Sequence, residues 1–332
     1  MMLPEPSLHR LFRLNESAFE QYALSIFRQQ ATHNKVYKQF INYLGLNPAS
    51  INNLLQIPFL PIEFFKTHRV VSGKGSSEII FTSSGTTGSQ VSKHFVLNRQ
   101  LYIQSFVKSF ELFYGPAHNW IILAFLPAYL ERKGSSLVYM ANHLIKASRN
   151  KLSGYYLHNP DSLLNTIQQA RKQGFKKILL LGVSFALYDL AEQFQPDLAG
   201  VTIMETGGMK GRRIEPIREE LHAFLCKNFN VPAIHSEYGM TELLSQAYSS
   251  GNGIFKAPPW MRILARDPED PLSTLVHGRQ GGLNVIDLSN HYSCSFIATQ
   301  DLCRTHNYGS FEVLGRFDAS DVRGCNLLIA NT

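Results

Sequence analysis

The stretch Phe81-Thr82-Ser83-Ser84-Gly85-Thr86-Thr87-Gly88-Ser89-Gln90-Val91-Ser92-Lys93 closes a short β-type run at 78–82. All seven residues from 82 to 88 are small, hydroxylated or glycine. Such a loop brings backbone N–H groups and hydroxyls onto a phosphate with no side chain in the way. It lacks the G-x-x-x-x-G-K-[ST] of a P-loop and the G-x-G-x-x-G of a dinucleotide site. A plain surface turn is the bland alternative.

Outward from this loop, apolar runs alternate with helical patterns. Residues 120–126, 177–183, 201–204 and 232–236 read as further strands. Helices are expected over 161–173, opened by an Asx/Ser cap and closed by Gly174, and over 216–227, with Pro216 in its first turn. This alternation predicts an α/β fold with a largely parallel sheet. Before the loop, Phe19, Tyr22, Ala23, Ile26 and Phe27 share one helical face, and Val36, Tyr37, Phe40, Ile41 and Leu44 share another. After about 250, runs such as 282–288 and 295–299, broken by Gly, Asn and Ser, read as β-rich. The expected organisation is a helical segment (1–70), an α/β nucleotide-binding core (71–250) and a β-rich subdomain (251–332).

Composition excludes several classes. Of 332 residues, 44% are hydrophobic and 17% charged, enough apolar surface for a core and against disorder. No apolar run is long enough to span a bilayer, which predicts no stable membrane insertion. The first residues show no secretory leader pattern, so a cytoplasmic protein with reduced thiols at its four cysteines is expected. The net charge is +7, but Lys and Arg are scattered without a recognition module, which argues against nucleic acid.

Further motifs follow in order: Gly207-Gly208-Met209, Tyr238-Gly239-Met240-Thr241-Glu242, Thr299-Gln300-Asp301-Leu302 and Gly315-Arg316-Phe317-Asp318. With the loop, they resemble the T-[SG]-S-G-T-[ST]-G, G-G, Y-G-x-T-E, T-G-D-L and G-R-x-D motifs of the adenylate-forming enzymes, which include acyl-CoA synthetases, peptide-synthetase adenylation domains and luciferases. The resemblance covers about residues 82–318. It implies that fold, a carboxylic acid substrate, ATP and Mg²⁺. Thr82, Ser83, Ser84, Gly85, Thr86, Thr87 and Gly88 would grip phosphates. Gly207, Gly208, Met209, Tyr238 and Gly239 would line the adenine site. Thr241 would donate to the α-phosphate and Glu242 would hold Mg²⁺. Asp301 would accept from the ribose hydroxyls, Arg316 would reach ribose or phosphate, and Asp318 would mark the hinge.

The sequence departs from that pattern twice. Gln90-Val91 stand where the loop's Pro-Lys is usual, with Lys93 two places on. No lysine follows Lys256, so the mobile C-terminal domain with its catalytic lysine is expected to be absent. Arg323-Gly324-Cys325-Asn326-Leu327 and the T-S-S-G-T-T-G spelling resemble the acyl-protein synthetase branch of the bacterial bioluminescence fatty-acid reductase, related to phenylacetate–CoA ligases. That branch implies a fatty acid, self-acylation at Cys325 and a reductase partner. An acyl carrier protein or CoA is the alternative thiol, and a non-catalytic nucleotide-binding subunit the alternative class. Two other patterns compete. Gly182-Val183-Ser184-Phe185-Ala186 resembles a hydrolase nucleophile elbow. His291-x-x-Cys294 and Cys303-x-x-His306 contain zinc-type ligands, on a run too extended to close on one ion.

Overall fold

The computed structural model describes residues 8–84, 90–126, 134–156, 159–207 and 217–317. The N-terminal helical stretch resolves into Leu8–Leu11, Glu16–His33 and Lys35–Tyr43. Asn15 opens the long helix by accepting from Ala18 N at 3.0 Å. Asn34 breaks it and starts the next, because its Oδ1 accepts from Val36 N and Tyr37 N, both at 3.1 Å.

Fourteen strands follow among the described residues. They are β1 (Leu60–Pro61), β2 (Ile79–Thr82), β3 (Lys93–Val96), β4 (Ile121–Phe125), β5 (Gly154–Tyr155), β6 (Ile178–Val183) and β7 (Thr202–Thr206), then β8 (His235–Tyr238), β9 (Ala247–Ser249), β10 (Ile254–Lys256), β11 (Met261–Arg266), β12 (Gln280–Asp287), β13 (Phe296–Thr305) and β14 (Ser310–Arg316). Strands β5, β4, β6, β7 and β8 form a parallel half-sheet in that order. The sheet continues through β9, β10, β14, β13, β12 and β11 with antiparallel pairing. β1 adds a parallel pair on β13, and β2–β3 form a separate hairpin. Every residue of β4 and β6 is buried, as helices on both faces of a parallel sheet require.

The expected elements therefore appear, with shifted ends. The 161–173 helix runs Pro160–Lys172, capped by Asn159 Oδ1 on Ser162 N at 2.8 Å. The 216–227 helix runs Arg218–Phe229, and Pro216 lies outside the described residues. The 232–236 strand begins later, at His235. Asn230 closes the preceding helix at φ +54°, and Pro232 has no N–H for a ladder.

Two apolar cores result. One lies between the parallel half and its helices. In the other, the N-terminal helices pack on the antiparallel half, so residues from both chain ends share one interior. Phe27 and Tyr37 meet Phe296 of β13 at 6.0 and 6.2 Å between ring centroids. Gln30, fully buried, donates to the carbonyls of Asn290 and His291 and accepts from Ser295 N.

A polar knot joins the two cores. The Asp287 carboxylate, at the end of β12, accepts from Leu244 N (2.8 Å), Ser245 N (3.0 Å), Ser245 Oγ (2.6 Å) and Ser289 N (3.1 Å). Ser245 Oγ also accepts from Trp260 Nε1, and Ser105 of the Arg99–Tyr114 helix meets Ser245 and Ser289 at 3.0 Å. Burial pushes the Asp287 pKa up, and the four donors oppose that shift. Replacing Asp287 with Ala strands several buried donors, so urea unfolding should show a loss on the order of 3 kcal/mol. Asp287→Asn, which keeps one acceptor oxygen, should lose less.

Candidate active site

The hairpin β2–β3 presents the Gly/Ser/Thr loop. Thr82 N donates to Gly134 O at 2.8 Å, Ser83 N to Ser92 O at 3.1 Å, and Ser92 N to Ser83 Oγ at 2.9 Å. The two loop stems are thus tied together at Ser83 and Ser92. Gly134 sits at φ +89°, and a Cβ there would lie 2.9 Å from Thr82 Oγ1, so only glycine lets this chain cross the base of the loop. Ser84 is exposed at the edge of the described residues. Gly85, Thr86, Thr87 and Gly88 lie outside them. Lys93 pairs with Thr82 across the hairpin and is exposed.

The segment after β8 is brought to the same place. Glu242 is 5% exposed, and its carboxylate takes a hydrogen bond from the Ser92 side chain. Burial raises its pKa, while Ser92, Arg316 and Lys66 act to lower it. The backbone here is held from three sides. His94 Nδ1 donates to Thr241 O at 2.8 Å, Asn290 Nδ2 donates to Glu242 O at 2.8 Å, and Asp287 takes the two N–H groups at Leu244 and Ser245. His94 is buried, which holds its pKa down to about 4 and keeps the ring neutral.

Tyr238 and Asp301 also converge. Tyr238 Oη donates to Asp301 Oδ2 at 2.9 Å, and the Tyr238 ring is packed edge-on against Phe255 and Phe311. The ring is 8% exposed, so its anchoring to Asp301 and to the aromatic pair is its main structural tie. Asp301 Oδ1 faces Arg316 Nε at 3.6 Å. Burial raises the Asp301 pKa, opposed by the Tyr238 hydrogen bond and by Arg316, Arg266 and Arg218. Arg316, mostly exposed, also donates to Gln300 Oε1 at 3.1 Å, so the residue that replaces the usual glycine carries a contact. Arg316 acts on both Glu242 and Asp301.

Gly239 has a steric reason. A Cβ there would overlap Glu237 Oε1 and lie 3.3 Å from Gln246 Cγ. Gly207 directly follows β7 and is exposed, and a Cβ there would meet nothing within 4 Å. Gly208, Met209, Asp318 and Cys325 lie outside the described residues, as do Arg323 and 127–133.

The competing patterns do not assemble. Ser184 Oγ, buried, donates to Glu205 Oε2 at 3.0 Å, while His222 Nε2 stands 3.6 Å from Glu205 Oε1 on the carboxylate's other side. A nucleophile needs the imidazole beside its own hydroxyl, and here the carboxylate intervenes. Cys294 and Cys303 are buried, and desolvation pushes their thiols up to about 12, away from thiolate chemistry. His306 bonds Glu312 instead, and most of β13 (Phe296–Thr305), with a register shift against β12, separates the two cysteines. Among the described residues no three His, Cys, Asp or Glu side chains gather as a metal site. None of the described helices is long and apolar enough to cross a membrane.

Sequence reasoning missed Ser92, His94, Lys66, Asn290 and Asp287. Ser92 lies inside the loop stretch and His94 directly follows it, but neither is a position of the quoted motifs, and Lys66, Asn290 and Asp287 reach the site from distant parts of the chain.

No family model and no curated protein matches the chain. Solved structures do. A 2-hydroxyisobutyryl-CoA ligase in the postadenylation state with 2-HIB-AMP aligns with a TM-score of 0.67 at 12% identity, over 96% of this chain and 72% of that one. Its open conformation with 2-HIB-AMP and CoA aligns with a TM-score of 0.65 at 12% identity, over 96% and 80%. ATP-bound MatB from Rhodopseudomonas palustris aligns with a TM-score of 0.54 at 17% identity, over 73% of this chain. The chain spans about half the length of the MatB structures it matches. The fold is therefore the α/β fold of adenylate-forming enzymes, with its parallel-rich sheet and β-rich C-terminal part.

His94 yields a pH prediction. Its folded pKa lies near 4, below the unfolded value of about 6.5, so the unfolded chain binds the extra proton between these limits. Stability should be intact above pH 6.5 and fall toward pH 4, by on the order of 3 kcal/mol from this group. Urea midpoints measured from pH 7 to 4 should fall less steeply in His94→Gln.

Proposed function

We propose that the protein activates a carboxylic acid with ATP, forming an acyl-adenylate and pyrophosphate, and transfers the acyl group to a thiol. The carrying observation is the convergence of the loop stems at 83 and 92 with Glu242, joined through the Ser92 side chain, beside Asp301 and Arg316. The structural neighbours' complexes with ATP and with 2-HIB-AMP support the reading.

In the activation step a carboxylate oxygen attacks the α-phosphorus and the bond to the pyrophosphate oxygen breaks. Little covalent chemistry falls to the protein, which holds two anions together and offsets charge on the phosphoryl oxygens. Residues 82–88 and Thr241 would donate to those oxygens. Asp301 would accept from ribose through Oδ1, since Oδ2 is held by Tyr238. Arg316 would offset negative charge near ribose or phosphate.

Mg²⁺ fits the donor chemistry of Glu242, a carboxylate whose burial raises its pKa against the opposing pull of Ser92, Arg316 and Lys66. One carboxylate plus substrate phosphates is an ordinary Mg²⁺ arrangement. Bound there, the ion would neutralise phosphate charge.

The acyl-protein synthetase resemblance supplies two finer elements of the proposal: a fatty acid as substrate and Cys325 as acceptor. A thiolate is a good acyl acceptor and its thioester stays reactive. A CoA or carrier-protein thiol is the alternative acceptor, and a net charge of +7 would suit an acidic carrier.

Pyrophosphate release with ATP, Mg²⁺ and a panel of acids tests this. Release should depend on the acid and drop at least about 100-fold in Glu242→Ala, as loss of a transition-state charge contact does. Cys325→Ser should keep release and lose labelled acyl-protein. Retention of the label would place the acceptor elsewhere. No release with any acid would leave a nucleotide-binding subunit.

A further inference from the structure

The face of β8 and β9 next to the adenylation motifs carries polar groups that the fold does not satisfy. Glu237 and Tyr248 are register partners, so they lie side by side on one face, and Gln246 precedes Tyr248 by two on the same face. The ideal Cβ position at Gly239 touches both Glu237 Oε1 and Gln246 Cγ, which places those two side chains together beneath the Tyr238-Gly239 turn. Phe113 and Tyr114 of the Arg99–Tyr114 helix wall the far side, with ring centroids 5.3 and 5.4 Å from that of Tyr248.

Gln246 and Tyr248 are each 3% exposed. Among the described residues Gln246 Oε1 and the Tyr248 hydroxyl find no hydrogen-bond partner. Ser109, fully buried on the same helix, has an unpaired hydroxyl too. It lies between Ser105, bonded to Ser245, and Phe113, packed on Tyr248. Buried polar atoms are nearly always paired, so this group calls for a partner from outside the fold. The Gln246 amide oxygen accepts only, so the partner it lacks is a donor. The C-terminal end of β8 leads directly into Thr241 and Glu242, the position where open α/β sheets bind ligands.

We propose that Glu237, Gln246 and Tyr248 form the subsite for the tail of the activated acid, and that this tail carries a hydrogen-bond donor, an amino or hydroxyl group. The inference rests on the adenylation reading and departs from its fatty-acid element, because an all-apolar chain would leave these atoms unpaired. Burial, with Glu205 nearby, pushes the Glu237 carboxyl up to about 8. An ammonium group on the ligand would restore its ionised form.

The test compares matched acids: hexanoate with 6-hydroxy- and 6-aminohexanoate, and benzoate with 4-hydroxy- and 4-aminobenzoate. Pyrophosphate release and thermal stabilisation are read for the wild type, Gln246→Leu and Tyr248→Phe. A site built to pair a donor rejects the analogue lacking it strongly, so one donor-bearing acid should exceed its parent by on the order of 100-fold in kcat/KM. Either variant should cut that preference to about 10-fold or less and leave KM for ATP unchanged. Parents that match or exceed their donor-bearing partners would overturn the proposal and leave a pocket that holds water. If no acid gives pyrophosphate, the adenylation reading fails separately. Stabilisation by a donor-bearing acid alone, lost in Tyr248→Phe, would then still uphold the subsite. No stabilisation by any of them would overturn it.

Discussion

The Asp287 carboxylate is the contact on which the site's geometry depends. It lies at the end of β12 and takes the N–H groups of Leu244 and Ser245, just beyond Glu242, plus two more donors, Ser245 Oγ and Ser289 N. The chain between β8 and β9 has no ladder of its own, so these bonds set its path. A buried carboxylate with four donors is stable only as a unit. Through Ser105 and Trp260 that unit also reaches the Arg99–Tyr114 helix and the start of β11. The two apolar cores are joined at the point that positions Glu242.

Around this anchor, charge is arranged in layers. Glu242 and Asp301 are both buried, and both keep some neutralisation from the exposed Arg316. Arg316 stands 3.6 Å from Asp301, and its own side chain is mostly exposed. Such a pair suits a ligand that brings cations and hydroxyls of its own. The Glu205 carboxylate, by contrast, is held below its usual range by His222, Arg218 and Ser236 against a burial penalty that pushes the other way. Its bonds to Arg218 (2.7 Å) and Ser184 are internal, and they read as structure.

Much of the fold was legible in periodicity. The buried runs of β4 and β6 are continuous because both faces of that sheet are covered, and the helix at 160–172 announced itself by its opening cap and its closing Gly174. The strand at β8 was placed early because apolar character starts before Pro232 and Asn230 allow a ladder. Motif order also marked Tyr238, Glu242, Asp301 and Arg316 as a set. Their partners were not legible, since Ser92, His94, Asn290 and Asp287 carry no local pattern. Ser184 shows the reverse case, in which a local pattern suggested chemistry that the neighbouring carboxylate removes.

The sequence by itself determined the alternation of strand and helix, the loop of small residues and the order of the motifs. Those are local properties, written in spacing and side-chain size. Only the tertiary structure decided that the N-terminal helices close the core of the antiparallel half, that Asp287 holds the Glu242 turn, and that Gln246 and Tyr248 face inward unpaired. Each of those depends on which distant residues share a low-dielectric interior. Pairing there is set by long-range register and burial, which no short window of sequence contains.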